Sequence, residues 1–292
     1  MPFRFTRTIA LAALVSTAAI AKPVPAAPAA TGFKIGSFQA FALLDETNVL
    51  PNDGKVLGVG AGPDAVAKVL AAAHAPTDQI ALGVDALLVK MPGRVVLLDT
   101  GLGPKVGGVL QQSLAATGMK PAGVTDVLIT HTHGDHVGGL VTADGTLAFP
   151  NATIRMSAPE WAWMQANGNQ TLVNAIRAKV QPFQPGAAIA PGIRAVALPG
   201  HTPGHSGYEI SSGKARLLDI GDTAHSSIVS LAEPSWTIGY DTDAAQGRAT
   251  REATLAKLAA SHERIFAPHF PYPGVGFVVK DGSGYRFQPS LQ

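Results

Sequence analysis

Apolar and β-branched residues crowd the early stretches 33–44, 86–90 and 94–98, and turn residues such as Pro92-Gly93 divide them, so strands of one sheet are predicted there. Between the first two, 64–75 has the apolar spacing of a short helix, and 106–117 has it again before stopping at Gly118. Strand patterns return at 124–129, 152–156, 193–198, 207–210 and 215–220, with helical spacing at 159–166 and 170–180 between them. Asp243 and Gln246 stand at capping-box spacing, opening a last helix that runs to about Ser261 before a strand at 264–267. The chain is thus β-rich first and mixed afterwards. It shows no repeat of fixed period, and no linker after residue 31 long enough to set off a second domain.

Composition narrows the chemistry. The chain has 292 residues, 46% hydrophobic and only 14% charged, which suits a folded domain with a substantial core. Its 32 glycines and 22 prolines follow no collagen-like period and read as turn punctuation. The absence of cysteine excludes a disulfide framework, a thiolate zinc finger, a Cys-held iron–sulfur cluster, a Cys nucleophile and a lipid anchor on Cys. Oxygen and imidazole must carry any reaction.

Arg4 and Arg7 precede an apolar run from residue 8 to 21, and Ala19-Ile20-Ala21 offers the small residues of a cleavage site, so 1–21 is expected to be a signal peptide directing the protein to the periplasm or outside the cell. That run is too short to cross a bilayer as a stable helix, and no membrane insertion of the mature chain is expected. Residues 22–31, with Pro23, Pro25 and Pro28, are expected to form a flexible Ala/Pro leader, and 32–292 the single domain. Removing 1–21 lowers the 22 basic residues to 20, against 20 acidic ones. Such a balance gives no basic face for nucleic acid or anionic membrane.

One segment points to function. The strand pattern at 124–130 runs straight into His131-Thr132-His133-Gly134-Asp135-His136. Alternation puts His131 and His133 on one side of the extended chain, where both can ligate one metal, and the turn at Gly134 redirects Asp135 and His136 toward a second position. The alternative is a group of histidines satisfied by hydrogen bonds, the usual fate of a lone His. Four ligand-type residues at one strand end favour two adjacent metals.

These residues resemble the His-x-His-x-Asp-His signature of the metallo-β-lactamase superfamily. Its other motifs follow in order as Asp99-Thr100-Gly101 upstream, then Gly200-His201-Thr202-Pro203-Gly204-His205, Gly221-Asp222 and Pro268-His269. The resemblance implies an α+β fold, the four-layer αββα sandwich, with metals at one edge of two facing sheets. It assigns His131, His133 and His201 to one metal, Asp135, His136 and His269 to the other, and Asp222 to both. It implies two Zn²⁺, with Fe, Mn or Co compatible with the same donors. A metal-bridging hydroxide would attack the substrate, with Asp222 and Asp135 as the catalytic carboxylates and Asp135 orienting the nucleophile. Asp99 resembles a buried acid that holds a ligand imidazole, a strand-end turn cap being its alternative. His205 is expected to fix its loop by hydrogen bonding, and His225 either faces the metal pocket or caps a turn. His74 and His262 are expected to face solvent. One of Trp161 and Trp163 is a candidate substrate wall, with core packing the default for both, and Phe270, Tyr272 and Gly274 are candidates for an apolar rim.

Without Cys, and with Asp222 present, the chain departs from the β-lactamases. It has neither the inserted domain and basic channel of nucleic-acid-cleaving members nor the flavin domain of di-iron members. Beyond the metal motifs, the stretches 147–152, 198–205 and 280–287 resemble the exported branch typified by methyl parathion hydrolase and its lactonase-like relatives; the match weakens at 101–108 and 163–182. The resemblance implies an exported hydrolase of a small lactone, ester or phosphotriester. Its small-molecule substrate needs no nucleic-acid partner, and a homodimer is compatible with the family. The alternatives are a β-lactamase and a periplasmic metal-binding protein without turnover.

Overall fold

The computed structural model describes residues 22–24 and 26–292, so the expected signal peptide lies outside the described residues. In chain order the first half forms β1 (Lys22–Val24), β2 (Ala30–Ile35), β3 (Phe38–Pro51), β4 (Leu57–Val59), α1 (Pro63–Ala72), β5 (Gln79–Met91), β6 (Arg94–Leu98), α2 (Leu110–Ala116), β7 (Asp126–Leu128), α3 (Gly134–Val137) and β8 (Thr153–Arg155). There follow α4 (Ala158–Asn167), α5 (Gln170–Ile176), β9 (Ala188–Ala190), β10 (Ile193–Ala197), β11 (Ser206–Ser212), β12 (Ala215–Asp219), α6 (Val229–Ala232), β13 (Thr237–Ile238), α7 (Ala244–Ser261), β14 (Arg264–Phe266), β15 (Val275–Asp281) and β16 (Gly284–Pro289).

Among the described residues two seven-stranded sheets result, one ordered β1-β3-β5-β6-β7-β8 with β2 also on β3, the other β16-β15-β14-β12-β11-β10-β9. Strand alternation explains why they stack. On β5, Leu87 and Val89 enter a core shared with Tyr208, Ile210 and Phe266 of the second sheet, whereas Ala86 and Leu88 face Leu114, Met164 and Val173 on the helical side. Beyond the second sheet, Leu218 and Ile265 pack against Leu255 and Leu258 of α7. Helix, sheet, sheet and helix therefore form the expected αββα layers. Among the described residues, no helix is long and apolar enough to cross a membrane.

Several local expectations change. The 22–31 stretch is partly paired rather than a free leader: β1 runs antiparallel to β3 from Lys22↔Val49 to Val24↔Thr47, and Ala29 N–H donates to Ser113 Oγ at 3.0 Å. An edge strand tolerates Pro23 because one side of its backbone needs no ladder donor. Stretch 33–44 is two strands of a hairpin, turned at Gly36-Ser37. The 106–117 helix covers only Leu110–Ala116, because Gly107 adopts the left-handed φ of 97° and breaks the run.

A smaller unit sits beside the sandwich. The two-stranded sheet β4–β13 packs with α1 and α6 through Leu57, Val66, Leu70, Val229 and Ile238, and this cluster includes Leu50 of β3 and Leu82 of β5. It flanks the edge from which the candidate ligands emerge.

Candidate metal centre

The histidine and aspartate loops all leave the C-terminal ends of strands. His131 to His136 follow β7, His201 follows β10, Asp222 follows β12 and His269 follows β14. Because β11 is antiparallel to β10 and β12, and β14 is parallel to β12, the last three loops open at one edge of the second sheet.

All seven candidate ligands converge there in two groups. His201 Nε2 lies 2.9 Å from His133 Nδ1 and 3.2 Å from His131 Nε2, with Asp222 Oδ2 3.2 Å away. Asp135 Oδ2 stands 3.7 Å from both His136 Nε2 and His269 Nε2. Asp222 reaches across, with Oδ1 3.2 Å from His136 Nε2 and Oδ2 3.0 Å from His269 Nε2.

Hydrogen bonds on the far side of each ring set which atom faces inward. Asp99 Oδ2 accepts from His136 Nδ1–H at 2.8 Å and from the Thr130 hydroxyl at 2.7 Å, and that hydroxyl oxygen accepts in turn from His131 Nδ1–H at 3.1 Å. His201 Nδ1–H donates to Asp241 Oδ1 at 3.0 Å, and His269 Nδ1–H to the Gly83 carbonyl at 2.6 Å. With the other nitrogen engaged in this way, all four rings aim Nε2 at the cluster centre. Nitrogens facing one another at such distances repel unless a proton or a metal cation lies between them. His136 Nε2 and Asp222 Oδ1 are buried with no hydrogen-bond partner among the described residues. The donors, imidazole and carboxylate without thiolate, therefore fit a pair of divalent metal ions.

Protonation is arranged to match. Burial, then the neighbouring His201, pushes His133 down to about 4. For His201 burial is outweighed by hydrogen bonds to Asp222 and Asp241, which lift it to about 9. A cation binding at its Nε2 has to displace that proton, so affinity falls as pH falls.

Two important residues escape the sequence reading. Glu160 of α4 is fully buried, and one carboxylate oxygen accepts from Thr132 N–H at 2.8 Å and Thr132 Oγ1 at 2.7 Å. Its other oxygen accepts from Thr202 Oγ1 at 2.6 Å and Gly204 N–H at 3.1 Å. It thereby ties the loop of His131 and His133 to that of His201. Glycine is required at 204 because a Cβ would lie 2.1 Å from Glu160 N. A local signal existed, since Ser157 caps α4 and Ser157-Ala158-Pro159-Glu160 has capping-box spacing. The second is Asp241, held by the buried Arg251 at 3.4 Å and bonded to His201. Asp241→Asn should weaken metal at the His201 group by about 10–100-fold in a competitive metal titration; unchanged affinity would remove Asp241 from the centre.

His205 Nδ1–H donates to Leu198 O at 2.8 Å while its Nε2 accepts from Asp222 N–H at 2.9 Å. His225 faces the pocket and caps no turn: it lines a cleft of about 580 Å³ together with Asn48, Leu50, Leu82, Leu102, His133, Asp135, Asp222, Tyr240 and His269. The aromatic candidates lie elsewhere. Trp161 packs on the helix-side core, Phe270 is buried against Phe287, and the Tyr272 hydroxyl donates to Ala42 O, so none lines this cleft. His74 and His262 are exposed, each in the left-handed conformation at a helix end.

Leu102 owes its position to a bulge at Asp45, whose oxygens accept from Leu102 N–H and Leu110 N–H, both at 2.7 Å. Burial raises Asp45 to about 6 despite those bonds. Folding therefore favours the protonated acid, and this contribution, full below about pH 4, is lost as pH rises through about 6, a change of about 3 kcal/mol. Asp45→Asn should remove that downward step, so its stability relative to wild type improves between pH 4 and 7 in urea unfolding; parallel curves would refute the assignment.

A family model for the metallo-β-lactamase superfamily matches residues 80–269. Metallo-beta-lactamase domain-containing protein 1 of Xenopus laevis is 40% identical over 116 residues, a match spanning 40% of this chain and 42% of that protein. Among solved structures, AidC, a dizinc quorum-quenching lactonase in complex with a product, superposes with a TM-score of 0.84 at 27% identity, covering 90% of this chain and 98% of that one. AbOPH, described as a hydrolase in the beta lactamase superfamily, gives 0.81 at 28% identity over 91% and 98%. Together with the two layered sheets and the loops that end in His131 to His136, His201, Asp222 and His269, the match places the chain in the metallo-β-lactamase superfamily.

Proposed function

We propose that the chain is a binuclear zinc hydrolase of small, uncharged, fairly apolar lactones or esters. The observation that carries this is two groups of imidazole and carboxylate donors, sharing Asp222, at the floor of a cleft walled by Leu50, Leu82, Leu102 and Tyr240. Among the described residues no Lys or Arg lines that cleft, so beyond the ions at its floor it offers no cationic partner to a charged substituent. Similarity to the dizinc lactonase AidC over most of both chains supports zinc and a lactone. The sequence resemblance to the methyl parathion hydrolase branch supports phosphotriesters as a second class.

His131, His133 and His201 would hold one ion, Asp135, His136 and His269 the other, with Asp222 contributing to both. Bound there, the pair supplies a Lewis acid for the scissile carbonyl or phosphoryl group and makes water a nucleophile at neutral pH. The chain's own part is orientation. Asp99, Asp241 and the Gly83 carbonyl keep the ligand rings in one tautomer, and His205 holds the backbone of Asp222 in place. Asp135, whose side chain is 26% exposed at the cleft floor, accepts a hydrogen bond from the attacking water. Leu50, Leu82 and Leu102 present an apolar wall to the reacting group.

The test is a hydrolysis screen of zinc-loaded protein against an acyl-homoserine lactone, an aryl ester, an aryl phosphotriester and a β-lactam, with chelator controls. The lactone or ester should be turned over best and the chelator should abolish it. Preference for the β-lactam, or full metal with no turnover of any substrate, would overturn the proposal. Export rests on residues 1–21 alone, and N-terminal sequencing of periplasmic protein checks it, with cleavage expected after Ala21.

A further inference from the structure

The four rings with inward Nε2 atoms share one trait: each has its other nitrogen tied to a carboxylate, hydroxyl or carbonyl. His225 breaks the pattern. Its residue is 1% exposed, yet neither Nδ1 nor Nε2 has a hydrogen-bond partner among the described residues. The ring stacks on His269 at 5.2 Å with a 10° interplanar angle, and its Nε2 stands 3.2 Å from Asp222 Oδ2. Its other neighbour is Tyr240, 5.7 Å between ring centroids, and both residues line the cleft.

Nearness to Asp222 and His269 would suit an eighth metal ligand. The missing tether argues otherwise, since a ligating imidazole is normally oriented through its second nitrogen. An unmade hydrogen bond in the interior costs about 1–3 kcal/mol, so a ring left this way in the wall of a cleft is one whose partner arrives with the substrate.

We propose that His225 is a catalytic residue that donates its ring N–H to the carbonyl oxygen of the bound ester or lactone. No proton leaves the ring. The hydrogen bond strengthens as negative charge develops on that oxygen during attack, so the residue favours the transition state over the bound substrate. The proposal rests on the hydrolase reading above and assigns His225 a role distinct from metal binding.

Two variants test it. His225→Phe keeps a flat ring against His269 and removes both nitrogens, while His225→Gln keeps an amide donor. Zinc content, kcat and KM on the best ester or lactone, and the Kd of hexanoate by calorimetry are measured for each loaded protein; hexanoate presents a carboxylate like that of the acid product. Both variants should hold as much zinc as wild type. The Phe variant should lose about 100-fold in kcat with KM little changed, and about tenfold in hexanoate affinity, and Gln should recover part of each loss. Zinc lost from the Phe variant would make His225 a ligand and end the proposal, as would kcat and hexanoate binding both at wild-type values. If wild type hydrolyses nothing, the function reading fails separately and hexanoate binding alone decides on His225. Wild type that binds no hexanoate would also overturn it.

Discussion

Asp222→Ala is expected to lose bound metal and turnover together, with kcat/KM falling by about 1000-fold or more. The carboxylate is buried and lies within 3.5 Å of ring nitrogens from His131, His136, His201, His225 and His269. Removing it leaves five imidazoles around a site with no anion between the two ligand groups. The charge that offsets two cations disappears, and the polarisation they supply is worth several kcal/mol in the transition state. The loop itself should persist, because His205 holds residue 222 through its backbone N–H. Elemental analysis beside steady-state kinetics reads the outcome, with circular dichroism confirming the fold. A variant that keeps both zinc and activity would show that the shared carboxylate is not at the centre of the site.

Glu160→Ala should cost about 3–5 kcal/mol of stability, the largest effect expected for a residue that touches no substrate. Its two oxygens satisfy four donors from two loops, and truncation leaves Thr132 N–H, the Thr132 and Thr202 hydroxyls and Gly204 N–H without partners in the interior. A removed partner costs more than the bond itself contributed, because the orphaned groups stay desolvated. Urea unfolding measures the loss. Zinc affinity at the group of His131, His133 and His201 should weaken alongside it, since Thr132 and Thr202 each neighbour a ligand. Glu160→Gln keeps one acceptor oxygen and should fall between wild type and alanine. A midpoint within error of wild type would mean that the loops do not depend on this carboxylate.

How much of this was legible in the sequence depended on how local each signal is. His131, His133, Asp135 and His136 stand together, so their chemistry shows without any fold. His201, Asp222 and His269 each sit alone in a loop, and only the order of family motifs joined them to the first group. Asp241 had no such help: it meets His201 across 40 positions, and its neighbours Tyr240 and Thr242 carry no motif. Glu160 carried a local cue, but capping-box spacing says nothing of a side chain that turns away from its own helix to reach two distant loops. In the fold, the apolar centre of β5 at 86–90 was plain because both faces are buried there, whereas its start at Gln79 alternates with exposed positions. β4 and β13, three and two residues long, are too short to show a period.

The split between the sandwich edge and the small β4–β13 unit beside it separates reactivity from selectivity. The candidate ligand side chains issue from strand ends braced by Asp99, Glu160 and Asp241, while Tyr240 follows β13, and Leu50 and Leu82 pack into that unit's own cluster. Evolution, or a mutant library confined to those three positions, has room to redraw the range of accepted molecules without disturbing the machinery that breaks the bond.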